Sequence, residues 1–117
     1  MVREKEQKMI NSFNRAFKSD SRKVYLNHII PEGGEAHARV MSLICLELRK
    51  LGIPFYCRYH LKTGGIVDVM LPLSSVAVEV MDSETKERFE KKDFSDEFLV
   101  VAVNVGWDLE TIMQVIL

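Results

Sequence analysis

Two acidic residues lie inside apolar runs that otherwise have the composition of buried strands. Asp68 stands in "GIVDVML" and Glu79 in "SVAVEVM", with the turn-like segment "PLSS" between the two runs. If Leu73 and Ser74 form the tip of a hairpin, counting outward along both strands places Asp68 directly opposite Glu79. Like charges in such a position repel each other and lose hydration, so we expect something to compensate them.

A divalent cation would provide that compensation. Carboxylate oxygens are hard ligands that suit Mg²⁺ or Mn²⁺, and water and a substrate phosphate can complete the coordination shell. An ion held in this way lowers the pKa of a bound water and stabilises the charge that develops during phosphodiester hydrolysis. We therefore predict a Mg²⁺ or Mn²⁺ site at Asp68 and Glu79. The alternative is that one of the two acids faces solvent at a sheet edge.

Two helices are predicted before the acidic pair. Residues 1–23 contain an amphipathic helix whose thin apolar stripe consists of Met9, Ile10, Phe13 and Phe17. The segment "PEGGE" then interrupts the chain, and a long helix, "EAHARVMSLICLELRKL", follows it. Gly52 and Pro54 predict the end of this helix. Its predicted apolar stripe is Val40, Leu43, Ile44, Leu48 and Leu51.

Four strands and two further helices complete the pattern. The strands are expected in "PFYCRYHL", "GIVDVML", "SVAVEVM" and "FLVVAVNV". A charged helix is expected in "SETKERFEKKDFSDE", and "WDLETIMQVIL" closes the chain as a helix capped by Asp108. This order predicts an α/β fold, with helices on both faces of a mixed four-stranded sheet.

The element order and the segment "GGIVDVML…AVEVMDSET" resemble the PD-(D/E)XK nuclease superfamily, which includes archaeal Holliday-junction resolvases. The resemblance covers roughly residues 35–105 and implies a restriction-endonuclease-like fold with an α-β-β-β-α-β core. It also implies that Asp68, Glu79 and the carbonyl of Val80 bind the metal. An acidic residue near the start of the first core helix often assists in this family, which makes Glu35 the candidate and His37 a second one.

One position departs from the pattern of that family. The lysine that stands two residues after the glutamate, where it can orient or deprotonate the attacking water, is replaced here by Met81. In some members a lysine of the following helix is thought to take over, and Lys86 is our first choice for that role, ahead of Lys91 and Lys92. The alternative for all three lysines is a solvated helix of i,i+4 ion pairs with the acids around them.

The charge of the chain is unevenly distributed, although its net value is only -1. Residues 1–24 carry seven basic and three acidic side chains. Such an arm can contact phosphates, and we predict DNA as the partner with Arg15, Lys18, Arg22 and Lys23 as its contacts. A solvated helix face is equally compatible. The expected organisation is a basic arm over residues 1–23 and a nuclease-like domain over residues 24–117, together forming one globular domain.

Composition restricts the class of protein further. No apolar run is long enough for a membrane span, and the start "MVREKEQKMI" is charged, so we expect a cytoplasmic protein without a secretory signal. The two cysteines, Cys45 and Cys57, lack the spacing of a metal site or a disulfide framework, and we interpret them as reduced core residues. A homodimer is expected, because symmetric dimers are the commonest oligomers.

Three functions are compatible with these residues. The first is a metal-dependent nuclease that hydrolyses DNA, on branched or nicked substrates if the likeness to resolvases holds. The second is a degenerate nuclease fold that binds nucleic acid through residues 1–24, or a protein through the Phe13 and Phe17 stripe; Met81 favours it. The third is a relative of the transfer-RNA-splicing endonuclease core, which uses a metal-free tyrosine, histidine and lysine; Tyr59, His60 and Lys62 are close in sequence but do not form a matching arrangement.

Overall fold

The computed structural model describes residues 2–19, 24–82 and 98–117. These residues form the helices α1 (Glu4–Phe17), α2 (Glu35–Leu51) and α3 (Leu109–Ile116), and the strands β1 (Tyr56–His60), β2 (Ile66–Leu71), β3 (Val76–Met81) and β4 (Leu99–Asn104). None of the described helices is both long and apolar enough to span a bilayer. The charged helix predicted after β3, with Lys86, Lys91 and Lys92, lies outside the described residues.

The four strands form one mixed sheet in the order β1-β2-β3-β4. Neighbouring strands are antiparallel from β1 to β3, while β3 and β4 are parallel. Strands joined by short turns pair antiparallel, whereas the parallel pair needs a long connection, which residues 82–98 provide. The α/β class and the mixed four-stranded sheet are therefore confirmed.

Helices cover both faces of this sheet. On one face α2 and α3 pack on an aliphatic core that includes Val69, Val78 and Val103. On the other face α1 packs through Ile10 and Phe13 on a more aromatic core. The Asn14 side chain fixes α1 there, because its Nδ2 donates to the Tyr56 hydroxyl (2.9 Å) and its Oδ1 accepts from the Tyr59 hydroxyl (2.9 Å).

The bounds predicted for α2 are correct, but its predicted apolar stripe is partly wrong. Leu43 and Leu51 are 40% and 51% exposed, whereas Met41 and Cys45 are completely buried. Apolar residues occupy more than one side of this helix, so periodicity alone does not determine which arc faces the sheet. Packing selects the arc that contains Met41, Ile44, Cys45 and Leu48.

The helix ends predicted at Gly52 and Asp108 are confirmed. α2 stops at Gly52, whose φ of 73° is the left-handed conformation that glycine adopts readily. α3 begins after Asp108, whose carboxylate accepts a hydrogen bond from the Thr111 backbone N–H (2.8 Å). That hydrogen bond lowers the pKa of Asp108 from its ordinary value of 3.8.

Candidate functional site

The hairpin of β2 and β3 has two different ends. Its ladder pairs Leu71 with Val76, Met70 with Ala77 and Val69 with Val78, in the register expected from a turn over residues 72–75. We call these six apolar residues the closed end. The next residues along the two strands are Asp68 and Glu79. From there β2 continues to pair with β1, and β3 continues to pair with β4. We call this region of Asp68 and Glu79 the forked end.

At the forked end the Asp68 side chain connects the two strands and α2. Its Oδ2 accepts a hydrogen bond from the backbone N–H of Val80 (2.9 Å) and lies 3.2 Å from His37 Nε2. The side chains of Asp68 and His37 are only 15% and 16% exposed. A carboxylate on a sheet and an imidazole from a helix are thus in contact in a mostly buried place with access to solvent.

The start of α2 determines the orientation of His37. The ring Nδ1 lies 2.5 Å from the Glu32 carbonyl oxygen, and a carbonyl can only accept, so Nδ1 carries a hydrogen and Nε2 is directed at Asp68. Gly33 makes this approach possible. Its φ is +87°, and a Cβ atom at this position would lie 2.8 Å from His37 Nδ1. The "PEGGE" segment therefore positions the imidazole as well as interrupting the chain.

Among the described residues, Glu79 is the one charged residue that is buried in the core, with an exposure of 0%. Its neighbours Val78 and Val80 both belong to the core on the α2 side, so alternation along β3 directs the Glu79 side chain towards the α1 side. The Glu79 side chain and the Asp68 side chain, which contacts His37 of α2, are therefore directed to opposite faces of the sheet. Burial of an ionised carboxylate is costly unless a cation or hydrogen bonds compensate it.

The other predicted site residues are placed as follows. Glu35 is exposed at the first position of α2, where the helix dipole favours an acid. Val80 enters the site through its N–H, which holds Asp68. Lys86 lies outside the described residues. Asp82, the residue after β3, has its Oδ2 3.9 Å from the position that a Cβ on Gly34 would occupy, beside the start of α2.

Two of the predicted nucleic-acid contacts are described. Arg15 is exposed, and its guanidinium donates to the Ser12 hydroxyl (3.2 Å). Lys18 is half-buried, with Nζ 3.5 Å from the Val24 carbonyl oxygen, and it forms a bridge with Leu61 next to β1. Because β1 ends where β2 begins, Lys18 lies at the same end of the sheet as Asp68. Arg22 and Lys23 lie outside the described residues.

The Tyr59, His60 and Lys62 segment is used to attach α1. The Tyr59 ring is completely buried, and desolvation raises the pKa of its hydroxyl. Lys62 Nζ donates to the Arg15 carbonyl oxygen. A buried tyrosine that donates to Asn14 holds structure together and is poorly placed to act as a base towards a substrate.

The described ranges contain no group of three or more histidine, cysteine, aspartate or glutamate residues arranged to hold a metal ion. What they contain at the forked end is one oriented pair, His37 and Asp68, with the buried Glu79 on the adjacent strand. The metal site expected from the sequence stays a prediction. Comparison of the chain with family profiles, curated proteins and solved structures finds no match.

Proposed function

We propose that this protein is a metal-dependent nuclease that hydrolyses DNA phosphodiester bonds at the forked end of the β2–β3 hairpin, on branched or nicked substrates. The observation that carries the proposal is the contact between His37 Nε2 and Asp68 Oδ2, made where two paired strands separate and beside a completely buried glutamate. Structural stability alone does not require such a group of residues, and perturbed or costly acids concentrate at functional sites.

The spacing and orientation of this pair fit two ligands of one ion. Ligands about 2.1 Å from an octahedral ion and at right angles to each other are about 3.0 Å apart, close to the 3.2 Å between Nε2 and Oδ2. A histidine that binds a metal through one nitrogen commonly donates its other N–H to a backbone carbonyl, which is what His37 does with Glu32. The donor types suit Mg²⁺ less well than Mn²⁺, which accepts imidazole and carboxylate together.

The proposed roles follow from these positions. Asp68 and His37 would hold Mn²⁺ or Mg²⁺ on the α2 side of the sheet, and the Val80 carbonyl would complete the protein ligands; Glu79, directed to the α1 side, is left out of this set. The Val80 N–H keeps the Asp68 carboxylate in its orientation. Glu35, exposed at the start of α2, helps to position the attacking water. When bound, the ion supplies a more acidic water and stabilises negative charge on the phosphate.

Other parts of the proposal concern the substrate and the missing lysine. Met81 occupies the position of the lysine that is typical of the nuclease superfamily, and Lys86 takes over the role of that lysine in orienting the water. Arg15, Lys18, Arg22 and Lys23 bind the DNA backbone. The position of Lys18, at the same end of the sheet as Asp68, supports this part of the proposal. Two copies of the chain, related by a two-fold axis, would present two such sites to the two strands of a duplex.

A second candidate is a nucleic-acid-binding or assembly module without catalysis. Met81 favours it, as does the direct contact between His37 Nε2 and Asp68 Oδ2, which gives the carboxylate a polar partner within the protein. For this candidate the basic residues 1–24 remain the nucleic-acid surface. The Phe13 and Phe17 stripe is used inside the fold, since Phe13 is buried and Phe17 packs edge-to-face on Phe98 with ring centroids 5.4 Å apart.

A cleavage assay separates the two candidates. Wild type, Asp68→Asn and Asp108→Asn are incubated with branched, nicked and linear duplex DNA, with Mn²⁺, Mg²⁺ or a chelator. Asp108→Asn is the matched control, because it makes the same chemical change at an exposed helix cap that asparagine can also form. The proposal expects metal-dependent cleavage by wild type and the control, and none by Asp68→Asn.

Two results would count against the nuclease. Cleavage that is unaffected by chelator and by Asp68→Asn would come from a contaminant or from another site. Salt-dependent DNA binding without cleavage at any metal concentration would favour the binding module.

A further inference from the structure

Two thiols that are twelve positions apart in sequence meet in the core of the protein. Cys45 in α2 and Cys57 in β1 are both completely buried, and their Sγ atoms lie 3.3 Å apart. They are the two cysteines of the chain, and both are thiols in this structure. Formation of a bond between them requires the sulfur atoms to approach by about 1.3 Å, to the usual disulfide length. Side-chain rotation and small shifts of packed elements provide movements of this size.

We propose that Cys45 and Cys57 are a peroxide-sensitive pair that forms an intramolecular disulfide, linking α2 to β1. This proposal is independent of the nuclease function, because it rests only on the position of the two sulfur atoms. Complete burial favours hydrogen peroxide over a bulky disulfide as the oxidant, since a small neutral molecule needs only a small local opening to reach them.

The two sulfur atoms have different proton affinities. The two sulfur atoms are within hydrogen-bond distance of each other, and donation from the Cys45 thiol stabilises the Cys57 thiolate and lowers the pKa of Cys57. The same hydrogen bond, together with burial, raises the pKa of Cys45. The thiolate is the reactive form of cysteine, so Cys57 is expected to react first.

The chemistry then takes two steps that balance. The Cys57 thiolate attacks one oxygen of hydrogen peroxide; an S–O bond forms, the O–O bond breaks, and hydroxide leaves and is protonated to water, which yields a sulfenic acid. The Cys45 sulfur then attacks the Cys57 sulfur; the S–S bond forms, the S–O bond breaks, and the departing hydroxide takes the Cys45 proton. Two thiols are oxidised to one disulfide, and one peroxide is reduced to two waters.

The disulfide would fix a helix that carries part of the candidate site. α2 holds His37 two turns before Cys45, and Cys57 is followed by Arg58, whose Nε lies 3.9 Å from Glu32 Oε1. A covalent link between α2 and β1 restricts the unfolded chain and is expected to raise the unfolding temperature.

The test treats the folded full-length protein with hydrogen peroxide and measures three properties: the intact mass, the thiols that can be alkylated after denaturation, and the unfolding temperature. The proposal expects wild type to lose two hydrogen atoms and both alkylatable thiols, to unfold at a higher temperature, and to return to its initial state with dithiothreitol. In the matched variant Cys45→Ala the remaining Cys57 should gain oxygen instead, whereas in Cys57→Ala the remaining Cys45 should react more slowly. Neither variant should show an increase in unfolding temperature.

The wild-type mass alone keeps the proposal falsifiable if either variant fails to fold. The proposal is overturned if wild type keeps two alkylatable thiols after a treatment that oxidises an exposed cysteine in a reference protein. It is also overturned if wild type gains oxygen without losing hydrogen, or if the only disulfides formed join two chains.

Discussion

The two ends of the β2–β3 hairpin are built from neighbouring residues and differ in almost every property. The closed end consists of three directly paired apolar residues on each strand, all buried. The forked end begins one residue further on, with an aspartate whose side chain takes the Val80 N–H and a glutamate that is completely buried. The first end follows the rules of stable sheets, and the second departs from them.

This difference indicates which part of the hairpin is used for function and which for stability. Buried acids, and side chains that take a backbone N–H from strand pairing, lower the stability of a sheet unless other interactions compensate them. Residues of this kind are therefore found mainly at functional sites. At the forked end both occur together with an oriented histidine. We therefore expect changes at the closed end to alter stability and changes at the forked end to alter ligand binding.

The largest effect is expected from Met70→Ala at the closed end. Met70 is completely buried between Tyr56 and Ala77, and truncation leaves a cavity that lowers the free energy of unfolding by about 2–5 kcal/mol. Urea unfolding followed by circular dichroism measures this loss. At temperatures where the variant is folded, its Mn²⁺ affinity should equal that of wild type; a large loss of affinity would remove the distinction between the two ends.

Gly33→Ala tests the support of His37 at the forked end. A side chain here meets both a positive φ and the imidazole ring, so we expect a loss of about 1–3 kcal/mol in the free energy of unfolding and weaker Mn²⁺ binding. Gly64→Ala is the matched control, because its φ is +103° but no atom lies within 4 Å of the added Cβ. Equal Mn²⁺ affinity in the two variants would show that the clash with His37 has no bearing on the site.

The smallest effect concerns a residue remote from both ends. Because the folded state lowers the pKa of Asp108, its cap stabilises α3 fully above the ordinary value of 3.8, and this contribution is lost as the pH falls through the lowered value. Asp108→Asn keeps a capping side chain that does not titrate. The unfolding temperature should therefore fall more steeply for wild type than for the variant as the pH is lowered from about 5 to about 2. Identical slopes would show that the Asp108 carboxylate does not stabilise α3 in this way.

Much of the fold is predictable from the sequence because its signals are local. Gly52 and Asp108 mark the ends of helices, and the apolar runs beside "PLSS" determine the register of the hairpin. Leu43 and Leu51 were assigned to the wrong face of α2 because the direction in which a helix packs depends on the sheet below it, which is not a local property.

The candidate site is only partly predictable, for a similar reason. Asp68 and Glu79 stand out as acids in apolar strands, but the sequence ranks Glu35 above His37, and only the turn at Gly33 explains why His37 reaches Asp68. The approach of Cys45 to Cys57 was missed as well, because twelve residues of separation give no sign that the two side chains meet between a helix and a strand.

The most direct test of the central claim is isothermal titration of Mn²⁺ into wild type and Asp68→Asn, with Asp108→Asn as the control for the same chemical change. The amide of Asp68→Asn can still accept the Val80 N–H, so the hairpin should remain folded while a charged ligand is lost. We predict one saturable Mn²⁺ site in wild type and in the control, and none in Asp68→Asn. Specific binding that is equal in all three proteins, or absent from wild type, would contradict a metal site at the forked end.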